Sequence, residues 1–161
     1  MCRRLLSSQK GISLVEVITT LAIVGIFSLL ILNFMINGMA NYNRVNDKIL
    51  LQDEANFVMQ TFVDRIYDAT RVEMVEKTAD SSLIKVRNFE GREAVLGIKN
   101  NQAVINGQPI HADRFVFLNG SGLEMTGEKS VAITLIIEDK ISGQNVKLEN
   151  SVSYLKASGG D

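Results

Sequence analysis

Glu16 is the only ionisable side chain in an apolar stretch that begins near Ile12 and continues to about Leu32. On insertion scales a charged side chain at the centre of a membrane helix costs about 2.5–3.5 kcal/mol, so this carboxylate calls for a cationic partner. Arg3, Arg4 and Lys10 precede the stretch with no acid among them, and the basic segment ends at Gly11. A basic leader, a small residue and a buried carboxylate five positions on suggest a segment that is both processed and embedded.

Other chemistry-bearing residues form weaker patterns. His111, the sole histidine, precedes Asp113 by two residues. A triad also needs an oriented nucleophile, and a His–Asp pair in a turn-rich stretch is expected to be a surface pair. Gly120-Ser121-Gly122 lacks the following helix that a phosphate loop requires, so a turn is expected there. Glu138, Asp139 and Glu149 do not have the spacing of a calcium loop. Arg87, Arg92 and Arg114, interleaved with Phe89 and Phe115, offer a small basic-aromatic patch for DNA, against which a solvated strand face is the plainer expectation. Cys2 is the only cysteine, which excludes an intramolecular disulfide and a Cys-based zinc site. A lipoprotein signal fails because the apolar run follows Cys2 rather than preceding it. No catalytic, cofactor-binding or metal-binding set is assigned.

The elements that must carry these residues follow from periodicity. The apolar stretch, counted from Ile12 to Ile36, holds about 25 residues, roughly 37 Å of helix and enough to cross a bilayer core. From Val17 to Leu32 its only polar residues are Thr19, Thr20 and Ser28, whose hydroxyls can bond to the preceding turn. The basic leader predicts a cytoplasmic N terminus and an exported C-terminal part. From Asn41 to about Met74 no Pro or Gly interrupts the chain, and Leu51, Ala55, Val58, Phe62, Ile66 and Ala69 form one helical stripe. This predicts a helix of 55–60 residues, with a bend near Asn37-Gly38. Strands are predicted at 83–87, 94–98, 103–105, 114–118, 131–137 and 146–154, with 131–137 central and 146–154 its hairpin mate. Turns are predicted at Asn100-Asn101, Asn106-Gly107, Asn119-Gly120 and Ser142-Gly143.

The predicted fold is therefore α+β, a long N-terminal helix whose C-terminal half packs on an antiparallel sheet. The segments are a leader over 1–11, a transmembrane helix over 12–40, an amphipathic continuation over 41–78, a β-rich domain over 79–156 and a polar tail over 157–161. Removing Arg3, Arg4 and Lys10 from 17 basic residues leaves 14 against 18 acidic, a formal charge of −4, which gives no general attraction to nucleic acid.

Gly11-Ile12-Ser13-Leu14-Val15-Glu16-Val17, behind the leader ending Gln9-Lys10-Gly11, resembles the N-terminal signature of type IV prepilins and type II secretion pseudopilins. The resemblance covers about residues 1–36. It implies cleavage by a prepilin peptidase between Gly11 and Ile12, N-methylation of Ile12, and an assembly role for Glu16. Ile12 stands where phenylalanine is usual, and no proline occurs near Asn33, where many major pilins carry one; the only proline is Pro109. The implied partners are the peptidase, other pilin or pseudopilin subunits, an inner-membrane assembly platform and the membrane itself. Nucleic acid joins them only if the filament serves DNA uptake.

A physical reason for the spacing stands beside the resemblance. Cutting before Ile12 creates a cationic amine one helical turn from Glu16. In a stacked array the amine of one subunit can neutralise the Glu16 of its neighbour. The expected function is that of a non-enzymatic minor subunit in an adhesion or motility pilus, a secretion pseudopilus or a DNA-uptake filament. Two rivals remain: an extracytoplasmic binding module on an uncleaved anchor, which keeps Met1, and a secreted protein cut after Ala40 in Gly38-Met39-Ala40, which starts at Asn41.

Overall fold

A computed structural model describes residues 13–78 and 80–155. The leader, the bond between Gly11 and Ile12, and the tail over 157–161 lie outside the described residues. The chain forms two compact units, Met1–Asn43 and Arg44–Asp161. Helix α1, Leu14–Tyr67, spans 54 residues and passes through Asn37-Gly38 with no break in its helical assignment.

Within the second unit, α1 buries Leu51, Ala55, Val58, Met59, Phe62 and Ile66. The expected stripe is therefore the core face, and each large side chain in it contributes about 1.5–3 kcal/mol by leaving water. The Asp68 N–H reaches the Asp64 carbonyl at 3.2 Å and closes the last turn. The helix thus ends seven residues before Met74 and well short of residue 78. Ala69–Lys77 is strand β1 instead of helix. From Thr70 onward the apolar positions Val72 and Met74 alternate with Arg71 and Glu73, a period of two that fits a half-buried strand.

The β region divides into two antiparallel sheets. The first runs in the order β1, β2 (Ser81–Asn88), β3 (Glu93–Lys99), β4 (Gln102–Ile105) and β5 (Gln108–Pro109). Asn100 and Asn101, both at positive φ, make the two-residue β3–β4 turn, and Asn106-Gly107 makes the next. Asparagine and glycine tolerate this backbone best, which is why both turns are visible in the sequence. The second sheet centres on β8 (Ser130–Asp139), the predicted central strand. Its hairpin mate β9 (Asn145–Ser153) lies on one side, and β6 (Phe115–Phe117) and β7 (Gly122–Met125) share the other. Val131, Ile133, Leu135 and Ile137 of β8 point into a core shared with the α1 stripe and with Ile84 and Leu96 of the first sheet. β5 and β7 were not anticipated; both are short, and Pro109 is confined to a two-residue edge strand because it cannot donate to a ladder.

The sheets are joined at Ser82, whose Oγ accepts the Leu123 N–H at 2.9 Å and donates to the Leu123 carbonyl at 2.7 Å. Behind it, Gly97 has φ of +151°, and a Cβ there would lie 2.0 Å from the Ser82 carbonyl oxygen. Gly97→Ala is therefore expected to destabilise the domain by about 3 kcal/mol, combining backbone strain with overpacking. Denaturant titration checks this, and an unchanged midpoint contradicts it.

Candidate functional site

The first unit contains the helix start and the carboxylate. The Ser13 carbonyl accepts the N–H groups of Glu16 at 3.0 Å and Val17 at 3.2 Å, so Ser13 caps α1 and Glu16 falls in its first turn. Ser at the cap with Glu three residues later is the spacing of a capping box. Among the described residues, however, Glu16 has neither a hydrogen-bonded nor an ion-paired side-chain partner. A carboxylate in the first turn is favourable to the helix dipole, which explains its tolerance there but not its cost in a membrane.

Apart from Ser13, Thr19 and Thr20, the residues around Glu16 on the helix are apolar. One stretch of α1 is long and apolar enough to cross a membrane, and none of its side chains is buried. Leu14, Val15, Ile18, Leu21, Val24, Phe27 and Leu30 all stand exposed. The hydroxyls within it are satisfied as anticipated: Thr19 Oγ1 donates to the Val15 carbonyl at 2.6 Å, Thr20 Oγ1 to that of Glu16 at 2.9 Å, and Ser28 Oγ to that of Val24 at 2.7 Å. Asn33 Nδ2 does the same with the Leu29 carbonyl at 3.1 Å, which the sequence reading did not foresee. These bonds remove the polar groups that would oppose burial in lipid, leaving Glu16 as the conspicuous exception. At Gly25 and Gly38 an added Cβ would meet nothing within 4 Å. Both therefore leave low points in the side-chain surface of a kind that lets helices approach closely.

The second unit contains the remaining sequence candidates, and the structure disperses them. The His111 ring meets Phe117 edge-on at 5.1 Å, with Nδ1 3.0 Å from the Ala112 carbonyl oxygen. Gly120-Ser121-Gly122 leads directly into β7, and Ser121 Oγ bridges the N–H and carbonyl of Ile136. Arg87 pairs with Glu93 and Arg92 with Glu90 on the solvated surface. Glu93 is held below the usual carboxylate range by Lys85 and then by Arg87. Among the described residues no group of three or more His, Cys, Asp or Glu side chains could hold a metal.

Arg114 instead joins a network that no local pattern announced. Its Nε and Nη2 donate to the Asp139 carboxylate at 2.7 and 2.5 Å, and Nη2 also reaches Asp47 Oδ1 of α1 at 2.7 Å. Asp139 is fully buried and also accepts from Ser142 Oγ and the Ile141 N–H. The guanidinium holds the Asp139 carboxyl well below the usual carboxylate range, overcoming the opposing effect of burial. Close by, Glu54 Oε1 accepts the Ala112 N–H at 2.9 Å, and Gln144 Nε2 donates to the Arg44 carbonyl at 3.3 Å. This cluster fixes α1 to the sheets through Arg44, Asp47 and Glu54. Comparison of the chain with protein-family models, with curated proteins and with solved structures returned no match.

Proposed function

We propose that this chain is a pilin-like or pseudopilin-like subunit, cut between Gly11 and Ile12 and assembled into an envelope filament through the first part of α1. The observation that carries the reading is Glu16, a carboxylate with no side-chain partner among the described residues, in the first turn of a helix whose membrane-length stretch is exposed throughout. An isolated anchor needs the apolar surface but gains nothing from an unneutralised acid within it. A subunit that must meet others gains a directional contact, because an incoming terminal amine can pair with Glu16 where the dielectric is low. The role is structural, in a minor subunit with its C-terminal domain outside the cytoplasm. Processing and assembly chemistry belong to the peptidase, the assembly platform and its motor. A conventional signal cut after Ala40 is less well supported, since Ala40-Asn41 lies in the uninterrupted middle of α1 and would have to unwind for cleavage.

Mass spectrometry of the protein from its native membrane separates the three routes. N-methylated Ile12 as the first residue is the expected result. Met1 identifies an uncleaved anchor and Asn41 a secretory signal, and either of these overturns the proposal.

A further inference from the structure

Where α1 ends, a cavity of about 190 Å³ opens between its last turn and the first sheet. Arg65 and Asp68 line it on the helix side, and Asn88, Ala94, Ile105 and Asn106 on the sheet side. Ala94 and Ile105 are half-buried hydrophobics that adjoin the core, and they give the cavity an apolar floor. Pockets for drug-sized ligands run from about 300 to 1,000 Å³, so the occupant here must be smaller.

The polar groups around that floor are unequally committed. Asn88 Oδ1 accepts the N–H groups of Glu90 at 3.1 Å and Arg92 at 2.9 Å, and Asn106 Oδ1 accepts the Val95 N–H at 2.9 Å. Each amide is fixed through its oxygen, and neither Nδ2 has an acceptor among the described residues. Glu93 and Arg92 also border the cavity, but Glu93 is held by Lys85 and Arg87, and Arg92 by Glu90. Arg65 and Asp68 have no ion-pair partner among the described residues. Three residues apart, they set opposite charges on neighbouring positions of one helix end. The helix dipole adds to the attraction for a cation beside Asp68.

We infer that this cavity binds a small zwitterion, an α-amino acid with a short aliphatic side chain. Arg65, with the Nδ2 groups of Asn88 and Asn106, takes the carboxylate. Asp68 takes the ammonium group, and the side chain lies on Ala94 and Ile105. A simple anion that meets Arg65 also meets Asp68, and a simple cation meets the reverse. Only a ligand carrying both charges leaves neither facing its like. A direct contact between Arg65 and Asp68 on the solvated rim is weak, so a bridging ligand displaces little. The inference needs nothing from Glu16 and stands or falls separately from the assembly reading.

Isothermal titration of the full chain in detergent micelles with L-valine tests it. Saturable binding of one molecule per chain is expected, and no saturation below about 10 mM overturns the inference. Two analogues dissect the contacts. L-Valinamide lacks the carboxylate and N-acetyl-L-valine lacks the ammonium group, as the two ends of a peptide do. Each should bind at least about tenfold more weakly, the loss expected when a charge-assisted hydrogen bond goes unmade. An analogue that binds as tightly as L-valine overturns the assignment. Arg65→Gln and Asp68→Asn change exposed side chains at the helix end, and each should weaken L-valine about tenfold while leaving the thermal midpoint unchanged. Wild-type affinity in either variant overturns the inference as well. The analogues read the same contacts on the unaltered chain, so the outcome does not depend on how the variants fold.

Discussion

Glu16→Gln is expected to leave cleavage before Ile12 and N-methylation unchanged while lowering incorporation into the filament about tenfold or more, as the loss of a charge pair in low dielectric implies. The substitution separates two roles that share one position. Ser13 caps α1 through its carbonyl, and Ser-x-x-Glu is capping-box spacing. Glutamine serves the third helical position of such a box about as well as glutamate does, so a purely helix-starting role predicts normal assembly for Glu16→Gln. Glutamine is also cheaper than a carboxylate to place in lipid, so a purely anchoring role predicts equal or better insertion. Only a role that depends on the negative charge predicts failure after correct processing. Glu16→Asp retains the charge on a side chain one methylene shorter and should be intermediate. Quantifying mature subunit in sheared filaments against membrane-bound subunit checks all three, and Glu16→Gln chains present at the wild-type ratio contradict the proposal.

The parts of this molecule that were legible in its sequence are those specified by neighbours along the chain. The stripe Leu51, Ala55, Val58, Phe62 and Ile66 repeats at three and four residues because one helix face meets the core, and all five are buried. Asn100-Asn101 and Asn106-Gly107 reveal hairpins because few residues adopt positive φ without strain. Val131–Ile137 was recognisable as central because its apolar content exceeds what an edge strand needs. The end of α1 was concealed for a specific reason. Ala69 continues the helical stripe three positions beyond Ile66, and it is buried as the first residue of β1 just as it would be on a helix. Neither glycine nor proline marks Tyr67-Asp68, so the change of period at Thr70 was the only available signal. The Arg114 network had no local signal at all. Asp47 lies 67 residues before Arg114 and Asp139 lies 25 after it, so only the folded chain brings them together. At the helix start, by contrast, composition alone singled out Glu16, since an acid among apolar residues is conspicuous without any knowledge of the fold.

Arg114→Ala is expected to lower the thermal midpoint of the C-terminal domain on the order of 10 °C, because it strips a fully buried carboxylate of its counter-charge. Ser142 Oγ and the Ile141 N–H would still reach Asp139, but two neutral donors do not replace a bidentate guanidinium. The same change frees Asp47, loosening one of the points that hold α1 to the sheets. The pH dependence gives the more specific signature. With Arg114 in place the folded pKa of Asp139 is depressed. Its contribution is therefore complete above the unfolded aspartate pKa of about 3.9 and is lost as pH falls through that value toward the folded one. Without the guanidinium, burial pushes the Asp139 carboxyl back up against the remaining Ser142 and Ile141 hydrogen bonds, so the variant has less stability to lose than the wild type when acid protonates this group. Midpoints of the two proteins should therefore converge as pH falls below about 4. Arg114→Lys keeps a charge but not the fork, and should recover only part of the difference. Asp139→Asn in the Arg114→Ala background removes the stranded charge and should restore stability at pH 7, whereas an additive loss in the double variant would show that Arg114 acts through packing instead.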